Sequence, residues 1–372
     1  EVMTMNDRIK DDRITLDYGS GGLKTSELIE SILLPAFDNA ALSQLGDGAI
    51  LGGSDKLVFS TDSFVVSPWK FPGGDIGKLS VCGTVNDLCM AGGIPKYLSL
   101  SFILEEGFSF SDFKSIVSSI ADEAKEAGVS IVTGDTKVVD SGKGDGIYIN
   151  TAGIGFQRAV LPGKSAIRPG DAVLVSGTIG CHGAAVMMAR SGLLREDSPL
   201  VSDCQPLNRI SAAALEAAGM TADMPVHLPD SSAPVRTAPV RTAPVRTAPV
   251  RILRDPTRGG VATTLNEFTE QMPFSIELDE TALPVDPAVE AACDMLGLDP
   301  LYCACEGRML AVCAPEAADA VLDAIKKVPG GENAARIGTV TEDMPGRVLL
   351  KTPIGGRRIL AKLTGMQLPR IC

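Results

Sequence analysis

The sequence predicts two α+β (α/β) halves in one chain, and three observations carry that expectation. The chain has 372 residues, which at ~150 residues per domain is about two domains, each large enough for its own core. Strand-like and helix-like patterns alternate, with strand pairs interspersed, an order that favours α+β layers over a doubly wound parallel sheet. A second start follows the turn Ile167-Arg168-Pro169-Gly170-Asp171. The expected division is therefore 1–165 and 166–364, with a tail at 365–372.

In the first half, Lys56 to Thr61 reads as a strand ending at Asp62. Apolar positions at Ile76, Leu79, Val85, Leu88 and Cys89 recur at close to helical spacing over 75–91. Tyr97 to Leu104 reads as a strand. Phe113, Ile116, Val117, Ile120 and Ala124 mark a helix closed by Gly128. Val129 to Thr133 and Tyr148 to Phe156 are the next strands. In the second half, Ala172 to Ser176 is a strand, and helices follow around 182–191, 208–218 and 259–271. Met309 to Cys313, Pro315 to Val328, Ala335 to Val340 and Val348 to Lys351 form a β–α–β–β series. Between them, Ala-Pro-Val-Arg recurs four times with period five, from Ala233 to Arg251. A proline every five residues is incompatible with a helix or a central strand, so 233–251 is expected to be a mobile, extended surface loop.

Composition narrows the function. Hydrophobic residues are 45% and charged residues 22%, as in a globular protein. No apolar run reaches the ~18 residues of a membrane span, and no signal-peptide core is present, so the expected location is the cytoplasm with no membrane partner. A net charge of −12 disfavours nucleic acid as a partner. Such an acidic chain binds phosphates through metal ions, backbone N–H groups or a few placed cations. Nine cysteines, an odd number, do not make a disulfide framework. With only His182 and His227, a histidine-based relay is not expected.

Four aspartates stand in turn-like settings: Asp47, Asp62, Asp87 and Asp255. Carboxylates with water are the preferred ligands of Mg²⁺. Asp87 lies inside an apolar helix, where Asp is a poor residue and a buried carboxylate needs a partner or a metal. Capping and turn roles remain open for all four. Glycine loops at Gly19-Ser20-Gly21-Gly22, Gly73-Gly74, Thr133-Gly134-Asp135-Thr136-Lys137 and Gly259-Gly260 allow close backbone approach to an anion. Neither the Walker A pattern nor a Rossmann glycine pattern is present.

Taken together, Asp17-Tyr18-Gly19-Ser20-Gly21-Gly22, Phe59-Ser60-Thr61-Asp62-Ser63, Val85-Asn86-Asp87-Leu88-Cys89-Met90-Ala91-Gly92-Gly93, Thr133-Gly134-Asp135-Thr136-Lys137, Asp255-Pro256-Thr257-Arg258-Gly259-Gly260 and the terminal Pro369-Arg370-Ile371-Cys372 stand in the order of one family. Over about residues 10–372 the chain resembles the HypE family of hydrogenase-maturation carbamoyl dehydratases. That family lies within the aminoimidazole ribonucleotide synthetase and selenophosphate synthetase superfamily. The resemblance implies a homodimer paired through the N-terminal sheets and a C-terminal α/β sandwich. It implies ATP held by Ser20, Gly21, Gly22, Asp62, Asn86, Asp87, Gly134, Asp135 and Thr136, with Mg²⁺ on Asp47, Asp62, Asp87 and Asp255. It also implies that a carbamoyltransferase, HypF, loads Cys372. ATP-dependent dehydration then makes a Cys372 thiocyanate, and the cyanide passes to the iron on a HypC–HypD complex.

Lys137 and Glu306 are the expected proton-handling groups. Lys137 would act as a base if the fold buries it, or as a phosphate-neutralising cation, and Glu306 has a surface turn as its alternative. Cys372 is not a prenylation site, since that Cys stands fourth from the end. A tail of eight residues reaches at most about 27 Å, enough to swing between two sites. Arg370 is expected to favour the Cys372 thiolate and the α-carboxylate of Cys372 to oppose it, so charge alone does not decide its reactivity. The rival readings are a selenophosphate synthetase-like enzyme, disfavoured because the first cysteine is Cys82, and a non-enzymatic maturation scaffold.

Overall fold

In the computed structural model, which describes residues 12–20, 22–45, 48–195, 197–220, 248–362, 368 and 370–372, the first half is built on a four-stranded sheet. Its strands are β1 (Leu57–Phe64), β2 (Gly93–Glu105), β3 (Ser130–Val139) and β4 (Ile147–Gln157), in the order β1-β4-β2-β3. β4 pairs antiparallel with β1 and β2, while β2 and β3 are parallel and joined by helix α2 (Phe110–Ala127). The Ser109 hydroxyl caps the start of α2 by accepting from Asp112 N, and Gly128 closes it at φ 68°. Helix α1 (Ile76–Met90) connects β1 to β2, and only Lys78 and Asp87 of its 15 residues escape burial. That near-total burial explains why α1 is apolar on all sides.

Along β1 the faces alternate. Leu57, Phe59, Thr61 and Ser63 point to solvent, and Ser60, Asp62 and Phe64 turn inward. The exposed face therefore carries large apolar side chains, with Leu57, Phe59 and Ile103 all open.

The second half is a seven-stranded sheet. Its elements in chain order are β5 (Ala172–Val175), α3 (Cys181–Ser191), α4 (Asn208–Ala217), β6 (Val250–Arg254), α5 (Gly260–Thr269), β7 (Ser275–Asp279), α6 (Pro287–Leu296), β8 (Leu310–Cys313), α7 (Pro315–Lys326), β9 (Ala335–Thr341), β10 (Val348–Lys351) and β11 (Arg357–Leu360). The spatial order is β11-β10-β7-β9-β5-β8-β6. Every residue of β5 and β8 is buried. Ala172 and Leu174 enter a core shared with the N-terminal half, while Val173 and Val175 enter a separate core on the other face. A sheet covered on both faces reads as a continuous apolar run, as these strands do.

Three expectations need correction. Thr133 to Lys137 is not a loop, because β3 runs through it to Val139. β1 continues past Asp62 to Phe64, so Asp62 is a strand residue. The last repeat unit is not loop either: Val250 and Arg251 begin β6. Arg251 is buried against Asp171, its Nε 3.1 Å from the carboxylate. The β-sheet pairing of β6 with β8 and this ion pair override the proline-rich pattern there. Residues 233–247 of the repeat region, with 221–232 before them, lie outside the described residues.

Candidate active site

Where the two halves meet, one helix end of the first half faces a turn and a tail of the second. Asn86 on α1 joins them. Its amide nitrogen donates to the carbonyls of Glu306 (3.0 Å) and Gln205 (3.2 Å), and its oxygen accepts from Leu207 N at 2.7 Å. All of its polar atoms are thus engaged in the seam between the halves. This clamp sets the Glu306 backbone beside the end of α1, where the next residue, Asp87, turns out of the core. Ser60 on β1 donates to Asp87 at 2.6 Å, and Asp62 lies two residues along the same inward face.

The third component comes from the turn before α5. Gly259 and Gly260 adopt φ 72° and 61°, and a Cβ at Gly260 would lie 2.6 Å from the carbonyl oxygens of Cys303 and Leu301. Only glycine permits that approach. The turn is tied to the segment 303–306 by Cys305 N donating to Pro256 O at 3.0 Å. Asp255 and Glu306, 7% and 2% exposed, are brought together in this way. Glu306 is buried and not on a surface turn. Its backbone N–H donates to Asp203 (3.0 Å), and its Oε1 has no hydrogen-bond partner.

The chain end completes the group. Cys372 lies half-buried beside the site, with its backbone oxygen accepting from Val65 N at 3.2 Å, while Arg370 O accepts from Ser67 N at 3.2 Å. Arg370 does not serve the thiol, because its guanidinium pairs with Asp145 and donates to Val65 O. The cation facing the thiol is Arg258, whose charge favours the Cys372 thiolate and which stands 3.6 Å from Asp62.

Crowded carboxylates leave a consistent electrostatic signature. Burial first, then repulsion from Asp87, pushes the Asp255 carboxyl up to about 7. Burial also raises Asp62, and burial with the charges of Asp255 and Asp203 lifts Glu306 well above the carboxylate range. The Cys372 thiol is pushed up to about 11 by burial and Glu306, with Arg258 opposing. Such a site attracts cationic charge. Among the described residues no three carboxylate, histidine or cysteine side chains form a self-sufficient metal cage. A Mg²⁺ ion fits here only if phosphate oxygens and water complete its shell, which is its usual habit.

The remaining predicted residues lie elsewhere. Asp62, Thr151, Leu100 and Gly134 are successive partners across the sheet. Three strand spacings put Gly134 about 14 Å from Asp62 within one subunit. Gly134 and Thr136 line a cavity of about 270 Å³ with Gly19, Thr25, Ile29 and Phe37. Gly19 packs on β3, where a Cβ would lie 2.4 Å from Val138 N. Ser20 ends the short 3-10 turn Leu16–Gly19 and donates to Asp17 O, and Gly22 precedes the helix Leu23–Leu28. Lys137 is not buried: it is 61% exposed and pairs with Asp135 at 2.6 Å. Gly21 and Asp47 lie outside the described residues. Sequence reasoning passed over Arg258, although it stands inside the Asp-Pro-Thr-Arg-Gly-Gly motif. It also passed over Asp203, which has no motif to mark it.

Fold and site define a two-domain protein of the AIR synthase related class. Residues 38–157 match the AIR synthase related protein N-terminal domain and residues 232–351 its C-terminal domain. The chain is 47% identical to carbamoyl dehydratase HypE of Cupriavidus necator, over 98% of this chain and 96% of that protein. It is similar to a crystal structure of the hydrogenase maturation protein HypE in complex with ATP, at TM-score 0.84 and 42% identity, covering 96% of this chain and 99% of the other. It is similar also to HypE in a HypE–HypF complex, at TM-score 0.71 and 41% identity, covering 90% and 99%. The chain belongs to the carbamoyl dehydratase HypE family. No helix among the described residues is long and apolar enough to cross a membrane.

Proposed function

We propose that this protein dehydrates an S-carbamoyl group on its own Cys372 to a thiocyanate, using ATP, during nickel–iron hydrogenase maturation. The observation that carries this is the placing of the Cys372 thiol near enough to Glu306, Arg258 and Asp62 for their charges to act on it, with Arg258 3.6 Å from Asp62. In balance, R–S–C(=O)NH₂ and ATP give R–S–C≡N, ADP and phosphate. ATP supplies the phosphoryl group that lets the carbonyl oxygen depart as phosphate instead of hydroxide.

The chain's residues then have distinct tasks. The Arg258 guanidinium holds the sulfur and faces the oxygen-bearing side of the carbamoyl group. Glu306, with its unpartnered Oε1, receives a proton from the amide nitrogen. Its raised affinity for protons makes it a strong base once ionised. Asp62, Asp87 and Asp255 would hold Mg²⁺, which when bound offsets the charge of the transferring phosphoryl group. Water exclusion at the seam strengthens each of these interactions.

The proposed nucleotide residues Ser20, Gly22, Gly134, Asp135 and Thr136 lie across the sheet from the carboxylates. In a homodimer formed by pairing of the bare sheet faces, one subunit's cavity would serve its partner's carboxylates. The exposed Leu57, Phe59 and Ile103 would be buried in that contact. Lys137 would then act from the partner's side. HypF is the proposed source of the carbamoyl group, in keeping with the solved HypE–HypF complex. HypC–HypD is the proposed acceptor of the cyanide.

The test is intact mass followed by mapping of the C-terminal peptide, after incubation with HypF, carbamoyl phosphate and ATP–Mg²⁺. The expected result is one carbamoyl group gained on Cys372, then one water lost only with ATP. A carbamoylated Cys372 that never loses water would overturn the dehydratase reading.

A further inference from the structure

His182 is completely buried and belongs to neither the carboxylate cluster nor the nucleotide cavity. It sits in the first turn of α3. Its Nε2 lies 2.9 Å from the carbonyl oxygen of Ile371, and its Nδ1 lies 2.8 Å from the Ser202 hydroxyl. A carbonyl can only accept, so Nε2 carries the proton and Nδ1 accepts from Ser202. Ser202 is fixed in turn: its oxygen accepts from Cys204 N at 3.1 Å, and its N–H donates to Pro72 O at 2.8 Å. Phe71 packs edge-on against the imidazole at 5.2 Å. Burial lowers the imidazole's affinity for a proton, which preserves the neutral tautomer.

The tail has other holds, but they differ in kind. Arg190 donates to Arg370 O at 2.6 Å, and Arg370 itself pairs with Asp145. Val65 N and Ser67 N also hold the tail, at Cys372 O and Arg370 O, and the Ile371 side chain is buried. Arg370 is open enough to water to exchange its bonds for hydration. The buried Nε2–H has no such exchange, because releasing the tail strands it in an apolar pocket.

We propose that His182, oriented by Ser202, is the latch that holds the C-terminal tail in its dehydration position and so sets how often Cys372 is offered outside. This rests on the proposed shuttling of Cys372 between carbamoylation and dehydration. His182 is a positioning residue, since it touches the Ile371 backbone and not the reacting atoms.

The test uses the full-length chain and reads alkylation of Cys372 by iodoacetamide, quantified on the C-terminal peptide. The other cysteines are buried and report on folding. His182→Phe fills the space and removes the donor, and His182→Gln returns an N–H donor. His182→Phe should label Cys372 about fivefold faster, the effect of losing one net hydrogen bond. HypF-dependent carbamoylation should quicken by a similar factor, while dehydration of the carbamoylated chain slows. His182→Gln should restore all three rates to within about twofold. Unchanged labelling in His182→Phe, or no restoration by Gln, overturns the latch. If His182→Phe exposes the other cysteines, Ser202→Ala decides: a rise in Cys372 labelling supports the latch, and none overturns it. Alkylation needs neither ATP nor HypF, so its result stands apart from any failure of the dehydratase reading.

Discussion

The two edges of the N-terminal sheet carry the same residue type in opposite states. At the β1 edge, Asp62, with Asp87, Asp255 and Glu306 around it, is half-buried and raised in its affinity for protons. At the β3 edge, Asp135 is exposed, paired with Lys137, and lowered by that hydrogen bond. The first edge concentrates charge that no group among the described residues fully offsets. The second has already neutralised itself and needs no ligand for its own stability. A site that stores uncompensated carboxylates is poised to accept a cation-bearing polyphosphate. An exposed, self-paired edge is suited to make outward contacts, including with another subunit.

The strongest way to break this comparison is to remove the thiol it converges on. Cys372→Ser should abolish thiocyanate formation while leaving ATP binding intact, measured by C-terminal peptide mass and equilibrium nucleotide titration. Residual cyanide transfer from that variant would show that another group carries the chemistry. Next in size, Glu306→Gln should slow single-turnover dehydration about 10²–10⁴-fold, the range for loss of a general base. Loss of less than about tenfold would remove Glu306 from proton transfer.

The two edges can also be tested against each other. Asp87→Asn and Lys137→Ala should each be inactive alone. If one site draws on both subunits, random mixing recovers about a quarter of wild-type activity, because half of the dimers contain one intact site. If each subunit is complete by itself, mixing recovers none. The smallest expected effect is on stability. Because folding raises the Asp255 carboxyl from 3.8 to about 7, its contribution to stability is complete below 3.8 and is lost as pH rises to about 7. Asp255→Asn should therefore melt about 2–4 °C higher than the parent at pH 8 without nucleotide, and near the parent at pH 4. Equal melting at both pH values would show that Asp255 ionises freely.

Much of this architecture was legible locally. The helical spacing over 75–91, the Gly128 stop and the apolar runs Ala172 to Ser176 and Met309 to Cys313 each express a period or a backbone preference held within a few residues. The oddity of Asp87 in an apolar helix was visible for the same reason. Other elements were hidden because their cause lies elsewhere in the chain. Thr133 to Lys137 looks like a glycine turn and is a strand because Gly134 presses against Leu100 O on β2, where a Cβ would stand 2.2 Å away. Arg251 looks like one more repeat unit and is buried because Asp171 waits 80 positions away.

The sequence by itself determined the two halves and the family motifs, because these depend on near-neighbour spacing and composition. Only the tertiary structure decided that Arg258 and not Arg370 meets the thiol, that Asn86 clamps the seam, and that His182 holds the tail. Those outcomes depend on distances between residues far apart in the chain, and on burial, which no local pattern encodes.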